Sequence, residues 1–446
     1  MERYADTIKA TIDELPDYEI YGRVTKVLGL MAEIAGFGQN LTVGSVCYLK
    51  PENKPPVPCE VVGFQDGKAL LMPFGSLEGV GLGCPAYLKS VGPVVFPHDA
   101  WLGRVIDGLG NPLDGKAPLK HGSVEVPLRN SAPPAHNRQR IGQQLDLGVR
   151  AVNSFLPVCE GQRMGIFSGS GVGKSVLLSM MACYTNADVS VIGLIGERGR
   201  EVQEFLEDDL GEEGLKRSVV IVATGDEPAL LRRQAAYLTL SVSEYFRGKG
   251  RDVLCLMDSV TRFAMAQREI GLSIGEPPTS KGYPPTTFGE LARLLERAGP
   301  GAQGEGTITG LFSVLVEGDD TNEPISDAVR GIVDGHIVME RQIADRGRYP
   351  AINVLKSISR SLPEALSKDR NEILREAKKI ITTYEDMAEL IRLGAYRKGS
   401  DPAVDKAIEI YPKLEEFLSQ HKDEKNTIDE CFDKLGAIVQ NGSDNG

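Results

Sequence analysis

The residues best suited to do chemistry form one run, Ser168-Gly169-Ser170-Gly171-Val172-Gly173-Lys174-Ser175. Its glycines let backbone N–H groups curl around an anion, and a helix beginning behind them adds partial positive charge. The apolar Met164-Gly165-Ile166-Phe167 before it reads as a buried strand, and Val176-Leu177-Leu178-Ser179-Met180-Met181-Ala182 after it as a helix. That is the setting a phosphate-binding loop requires. In it, Lys174 reaches the terminal phosphates of a nucleotide and Ser175 offers its hydroxyl to Mg2+. The run departs from G-x-x-x-x-G-K-[ST] at its first position, where Ser168 replaces glycine. Gly169, Ser170, Gly171, Val172 and Gly173 are the candidate cradle, and nucleotide hydrolysis is the leading expectation.

Phosphoryl transfer also needs a held metal, a carboxylate to orient water, and positive charge for the transition state. Asp258 ends the apolar run Val253-Leu254-Cys255-Leu256-Met257, where a carboxylate can take a Mg2+-bound water beside Ser175. A strand-terminal aspartate is also a common helix cap. Glu197, in Gly196-Glu197-Arg198-Gly199-Arg200-Glu201, follows an apolar run ending at Ile195, and in open α/β sheets such strand ends face the ligand. It could polarise the attacking water, or it could join Arg198 and Arg200 in a solvated cluster of alternating charge. The residues by themselves do not choose.

The elements that must position these groups change character along the chain. Residues 1–17 carry Tyr4, Ile8, Ile12 and Leu15 on one helical stripe, stopped by Pro16, a face that can grip a partner or pack on its own domain. Residues 18–90 are short, Gly-punctuated β segments, with a turn at Gln65-Asp66-Gly67-Lys68, and predict a small β-barrel. Residues 91–365 alternate helices with near-continuous apolar runs such as Val189–Ile195, Val219–Ala223 and Ile308–Val316, the pattern of strands covered on both faces of an α/β domain. Residues 366–440 turn helical and charged, and the tail beyond them is expected to fray.

At 446 residues the chain has room for about three domains. Its net charge of −12 argues against nucleic acid, whose binding rests on Lys and Arg. Seven scattered cysteines without metal-type spacing read as reduced packing residues, and five dispersed histidines predict no zinc site. No apolar run approaches the roughly 18 residues of a membrane span, and residues 1–20 lack a signal-peptide core. A soluble cytoplasmic protein is expected.

Taken together, Gly173-Lys174-Ser175, the run Gly196 to Glu201, Asp258-Ser259-Val260-Thr261-Arg262-Phe263-Ala264, Gly282-Tyr283-Pro284-Pro285 and Tyr349-Pro350-Ala351-Ile352-Asn353-Val354 resemble, in order, the catalytic subunits of rotary-type ATPases. So does Leu102-Gly103-Arg104-Val105-Ile106-Asp107-Gly108-Leu109-Gly110-Asn111-Pro112 upstream. Within that superfamily the chain is most similar to the ATPases of type III protein export, and specifically to the flagellar ones. The carriers are the small residue at 168, Arg200-Glu201-Val202-Gln203-Glu204-Phe205 and Gly394-Ala395-Tyr396-Arg397-Lys398-Gly399-Ser400-Asp401-Pro402.

The resemblance implies a RecA-like P-loop ATPase core, with an N-terminal β-barrel and a C-terminal helical domain, hydrolysing ATP with Mg2+. It implies Glu197 as the carboxylate that orients water, with Arg198 beside it. Glu201 becomes an acid near Mg2+, Asp258 a metal ligand and Arg262 a phosphate-side arginine. Tyr349 stacks on adenine, and Arg360 is an arginine finger donated into a neighbouring subunit. It further implies a homohexamer at the cytoplasmic face of the inner membrane, peripheral to an export gate. Its partners would be a regulator, a stalk protein and chaperone–substrate complexes. A virulence-type secretion ATPase and a proton-translocating rotary subunit share the catalytic set. An RNA translocase shares the core, but residues 18–90 are neither basic nor rich in aromatics.

Overall fold

Alternating inward and outward residues on short strands can be satisfied only by a closed or double-layered sheet, and the N-terminal region takes the first solution. The computed structural model describes residues 21–37, 40–90, 92–316 and 323–440. The stripe of Tyr4, Ile8, Ile12 and Leu15 and the tail from 441 lie outside the described residues. Strands β1 (Tyr21–Leu28), β2 (Met31–Ala35), β3 (Val46–Leu49), β4 (Val57–Gln65), β5 (Lys68–Pro73) and β6 (Pro85–Ser90) close a barrel in the order β1-β2-β5-β4-β3-β6. The two-residue turn Asp66-Gly67 joins β4 to β5, with Gln65 opposite Lys68. Val24, Ile34, Leu49, Val61 and Leu71 fill the interior beside Cys47 and Cys59. All seven cysteines are free thiols, and burial pushes Cys47 up to about 12, the behaviour of packing residues.

Two short strands, β7 (Val94–Val95) and β9 (Val126–Pro127), stand apart from the main sheet, whose first strand is β8 (Arg104–Asp107). The apolar runs become β10 (Arg163–Ser168), β11 (Val189–Ile195), β12 (Ser218–Ala223), β13 (Val253–Asp258) and β15 (Thr307–Leu315). They form a parallel sheet because each is covered on both faces; every residue of β11, β12 and β13 is buried. The strand order is β17-β16-β10-β15-β13-β11-β12-β8, with β16 (Gly335–Met339) parallel to β10 and β17 (Ile352–Ser359) antiparallel at the edge. The short β14 (Gly299–Pro300) pairs with β15.

One face of the sheet packs on the helix Lys174–Tyr184 and on three C-terminal helices, Lys368–Arg392, Pro402–Leu418 and Ile428–Gln440. The expected C-terminal helical region is therefore built against the core, through Leu374, Ile380, Ile410, Leu414 and Phe432. The other face is covered by residues such as Leu238, Phe246, Phe263 and Leu294. No helix among the described residues is long and apolar enough to cross a membrane.

Under that second face lies a buried ion pair. Arg297 Nε and Nη2 donate to the two carboxylate oxygens of Glu244 at 2.8 and 2.9 Å, and the Arg297 and Glu244 side chains are 1% and 4% exposed. Arg297 also donates to the Leu128 carbonyl and the Ser241 hydroxyl, and Asn130 donates to Glu244, so the pair ties the 128–130 segment to the helix Ala229–Gly248. Removing one partner strands a charge out of reach of water. Arg297→Leu should therefore lower stability by about 3–5 kcal/mol in denaturant melts, and a double variant with Glu244→Leu should recover much of the loss.

Candidate active site

The parallel sheet delivers its loops to one end. The phosphate loop follows β10, Glu197 lies two residues past β11, and Asp258 is the last residue of β13, level with Leu194 of β11. Gly171 and Gly173 have φ of 73° and 84°, and the helix Lys174–Tyr184 starts at Gly173 with no side-chain cap. Its first N–H groups thus have no side-chain partner from the cap position, the condition for an anion site.

Lys174 is not the solvent-exposed loop charge that a phosphate-loop lysine suggests. Its Nζ lies 2.5 Å from Asp258 Oδ1 and 3.6 Å from Glu197 Oε1, with the lysine, glutamate and aspartate side chains 14%, 19% and 4% exposed. The Ser313 hydroxyl donates to the same Asp258 oxygen at 2.5 Å. Burial works against the Lys174 ammonium, and the charges of Asp258 and Glu197 outweigh it, so its pKa is raised. Burial, reinforced by the Asp258 charge and only partly offset by Lys174, raises Glu197 to about 7. On Glu201 burial is overcome by hydrogen bonds from Glu197 and the Arg198 backbone, and its pKa is lowered. Glu197, Glu201, Asp258 and Ser175 line one small cleft with Leu194 and Phe205. An acid near neutrality is a group able to exchange a proton with water at physiological pH.

Arg198 points outward, its side chain 85% exposed, and pairs with Glu201 at 3.3 Å. The stem of Arg262 lies against Gly196, where a Cβ would meet Arg262 Cβ and Cγ at 2.7 Å; with φ of 73° as well, this position admits only glycine. Arg262 therefore sits directly beside the Glu197 turn. Tyr349 packs against the loop itself, its ring 3.3 Å from the place of a Gly173 Cβ. With Pro350, Val176, Leu177 and Met180 it walls an apolar slot of about 240 Å³.

The structure does not bring Arg360 to this group. Ser359 pairs with Gly335 at the start of β16, whereas the phosphate loop lies level with Met339 at its end. At about 3.3 Å per residue, Arg360 is held roughly 13 Å back along the strands. It is exposed there, its backbone N–H donating to the Asp334 carbonyl.

Two contributions carry no motif. Gln420 closes the slot beside His421 and Lys422, and its backbone N–H holds the Tyr349 carbonyl at 2.7 Å, while its amide is occupied by Arg150, Gly148 and Glu424. Arg341 donates to the Ser170 carbonyl at 2.9 Å and braces the loop from below. Both are tertiary contacts across at least 70 residues, which spacing along the chain cannot reveal.

Comparison with known proteins finds relatives along nearly the whole chain. The ATP synthase alpha/beta family, nucleotide-binding domain, matches residues 148–359, and the T3SS EscN ATPase C-terminal domain matches residues 366–437. A flagellum-specific ATP synthase of Caulobacter vibrioides is 58% identical over 97% of this chain and 98% of its own. A type 3 secretion system ATPase of Xanthomonas euvesicatoria is 44% identical over 94% of each. Among solved structures, the assembled ATPase EscN of the enteropathogenic E. coli type III secretion system superposes with a TM-score of 0.87 at 38% identity, covering 94% of this chain and all of that one. EscN in complex with its central stalk EscO gives 0.85 at 37% identity, with the same coverage.

The raised pKa of Glu197 has a consequence for stability. Folded Glu197 keeps its proton up to about pH 7, whereas the unfolded chain releases it near 4.5, so its ionisation costs the fold increasingly between those values. Glu197→Gln should stabilise the nucleotide-free protein by on the order of 1–3 kcal/mol at pH 8 and clearly less at pH 5, read as paired thermal melts.

Proposed function

The chain belongs to the family of flagellum-specific ATP synthases and type III secretion ATPases, and from that membership we propose that it hydrolyses ATP to assist export of flagellar proteins through a type III apparatus. The observation that carries the enzymatic part is the Lys174–Asp258–Glu197 contact at the end of β10, β11 and β13. The flagellar assignment rests on the higher identity to the flagellar relative, 58% against 44% for the secretion one.

The donor set fits a magnesium nucleotide: an uncapped helix start, a buried lysine, a hydroxyl and a strand-end carboxylate. Ser175 and Asp258 would hold Mg2+, with Glu201 near it, and the ion supplies charge neutralisation on the phosphates. Loop N–H groups and Lys174 bind the phosphate oxygens, and Tyr349 stacks on the base. Glu197 accepts a hydrogen bond from the attacking water and orients it, for which its proton affinity near neutrality suits it. Arg198 follows Glu197 in the chain and pairs with Glu201, and the stem of Arg262 lies against Gly196. Lys174 changes partners on binding, from carboxylate to phosphate, so the acids it releases become free for metal and water.

Arg360 acts on the site of a neighbouring copy, a reading supported by its exposure and by its distance from its own loop. That makes the active form an oligomer, in this reading a homohexamer, cytoplasmic and peripheral to an export gate, with a stalk protein, a regulator and chaperone–substrate complexes as partners.

Trans action has a direct test. Glu197→Gln and Arg360→Ala proteins should each bind ATP nearly normally, with turnover down by roughly 10³-fold or more. Mixed assemblies of the two should recover part of the activity, because some interfaces then pair an intact Glu197 with an intact Arg360. Steady-state ATPase assays on mixtures shown by mass to contain both chains check this, and no recovery would count against action in trans. Lys174→Ala should abolish turnover, and it should also lower the melting temperature of the nucleotide-free protein, since Asp258 loses its only cation within 4 Å among the described residues.

A further inference from the structure

Strand β15 lies between β10, which carries the phosphate loop, and β13, which ends at Asp258. Its stretch Gly310-Leu311-Phe312-Ser313-Val314-Leu315 has one polar side chain, Ser313, and that residue is fully buried. A hydroxyl there costs free energy unless it is hydrogen-bonded. Met257 pairs with Phe312, so the next step of the register sets Ser313 beside Asp258, and the hydroxyl donates to Asp258 Oδ1 at 2.5 Å. The same strand donates the Leu315 N–H to the Thr261 hydroxyl at 2.9 Å, a second tie to the segment that Asp258 begins.

Both donors that reach the Asp258 carboxylate meet one oxygen. Lys174 Nζ also lies 2.5 Å from Oδ1, and no donor among the described residues reaches Oδ2. Oδ2 is therefore the unpartnered oxygen of a side chain that lines the cleft with Ser175, Glu197 and Glu201. The two donors are not equivalent. Lys174 begins the helix behind the phosphate loop and is drawn to phosphate in the mechanism above, whereas Ser313 sits on a buried central strand and cannot follow. The χ2 torsion of an aspartate is broad and twofold, so a carboxylate held by neither donor exchanges its two oxygens easily.

We propose that Ser313 is a positioning residue for Asp258: it keeps Oδ1 when Lys174 leaves, and so holds Oδ2 toward the cleft in which Ser175 and Asp258 take the magnesium ion. This rests on the reading in which Lys174 changes partners on nucleotide binding. A hydrogen bond to a charged acceptor is among the stronger ones, and burial shields this one from competing water. In the nucleotide-free protein the ammonium shares the task. In the nucleotide-bound protein the hydroxyl is the one donor left to Oδ1 among the described residues, so its removal costs the bound state more than the free one.

The test is calorimetric titration of the purified full chain with the magnesium complex of a non-hydrolysable ATP analogue, paired with thermal melts of the free and the filled protein. Ser313→Ala should weaken analogue binding about tenfold, the size of one hydrogen bond to a charged group. It should also lower the melting temperature more in the filled protein than in the free one. Ser313→Cys, close in volume and a weaker donor, should fall between wild type and Ser313→Ala. A hydroxyl that only fills the core costs both states alike, so wild-type affinity with equal losses in the two melts overturns the proposal. Wild-type affinity in Ser313→Cys does the same if the alanine protein does not fold. A wild-type chain that binds no analogue overturns the nucleotide reading and this proposal with it, whereas normal binding by both wild type and variant overturns this proposal alone.

Discussion

A lysine ammonium wedged between two carboxylates is the constraint around which the core is arranged. Without Lys174, Asp258 and Glu197 would face each other across a water-poor cleft, with Glu201 close behind. Glu201 has Arg198 beside it, whereas Lys174 is shared between Asp258 and Glu197, and burial together with the Asp258 charge raises the pKa of Glu197 to about 7. This sharing disposes the cleft to accept additional positive charge, as a divalent cation would bring, once phosphate has drawn the lysine away. In the proposed mechanism, binding and activation are then one electrostatic exchange.

That exchange requires three loops to converge, and the parallel sheet supplies the convergence. Because β10, β11 and β13 run in one direction, their carboxyl ends lie together, and residues separated by up to 84 positions come within hydrogen-bond reach. The single antiparallel edge strand does the opposite. β17 carries its last residues back toward the start of β16, which puts Arg360 at the wrong end for its own site. Strand direction alone therefore separates the groups gathered at the carboxyl ends of the parallel strands from Arg360, the residue proposed to act on a second copy.

How much of this was legible in the sequence depends on the kind of signal. The phosphate loop, Asp258 and the Glu197 turn are local patterns with a fixed place at strand ends, and the barrel was visible in short alternating segments around Asp66-Gly67. What the residues left open was whether Glu197 belongs to a solvated charge cluster; its burial against Lys174 removes it from that cluster, while Arg198 and Arg200 remain in it. The pairing of Lys174 with acids was not legible, because a motif read for phosphate says nothing of what the lysine does without it. Arg341 and Gln420 were invisible for another reason: their roles come from packing between distant segments, and neither sits in a recognisable run.

Gln420 also shows why the C-terminal helices cannot be an independent appendage. The segment leaving the helix Pro402–Leu418 is pinned by Arg150, which donates to the Phe417 carbonyl at 2.8 Å, to the Ser419 carbonyl, and to Glu424 and Asn426. Arg150 begins the helix Arg150–Phe155, which packs within the same core as the phosphate-loop helix. The pinned segment in turn holds Tyr349 by its carbonyl and forms one wall of the apolar slot beside it. A displacement of the helical region must therefore either break this Arg150 network or move the slot wall with it. Several buried or charge-assisted hydrogen bonds oppose the first course, so the second is the softer one. The C-terminal helices and the Tyr349 slot are thereby joined through Gln420 and the Arg150 network.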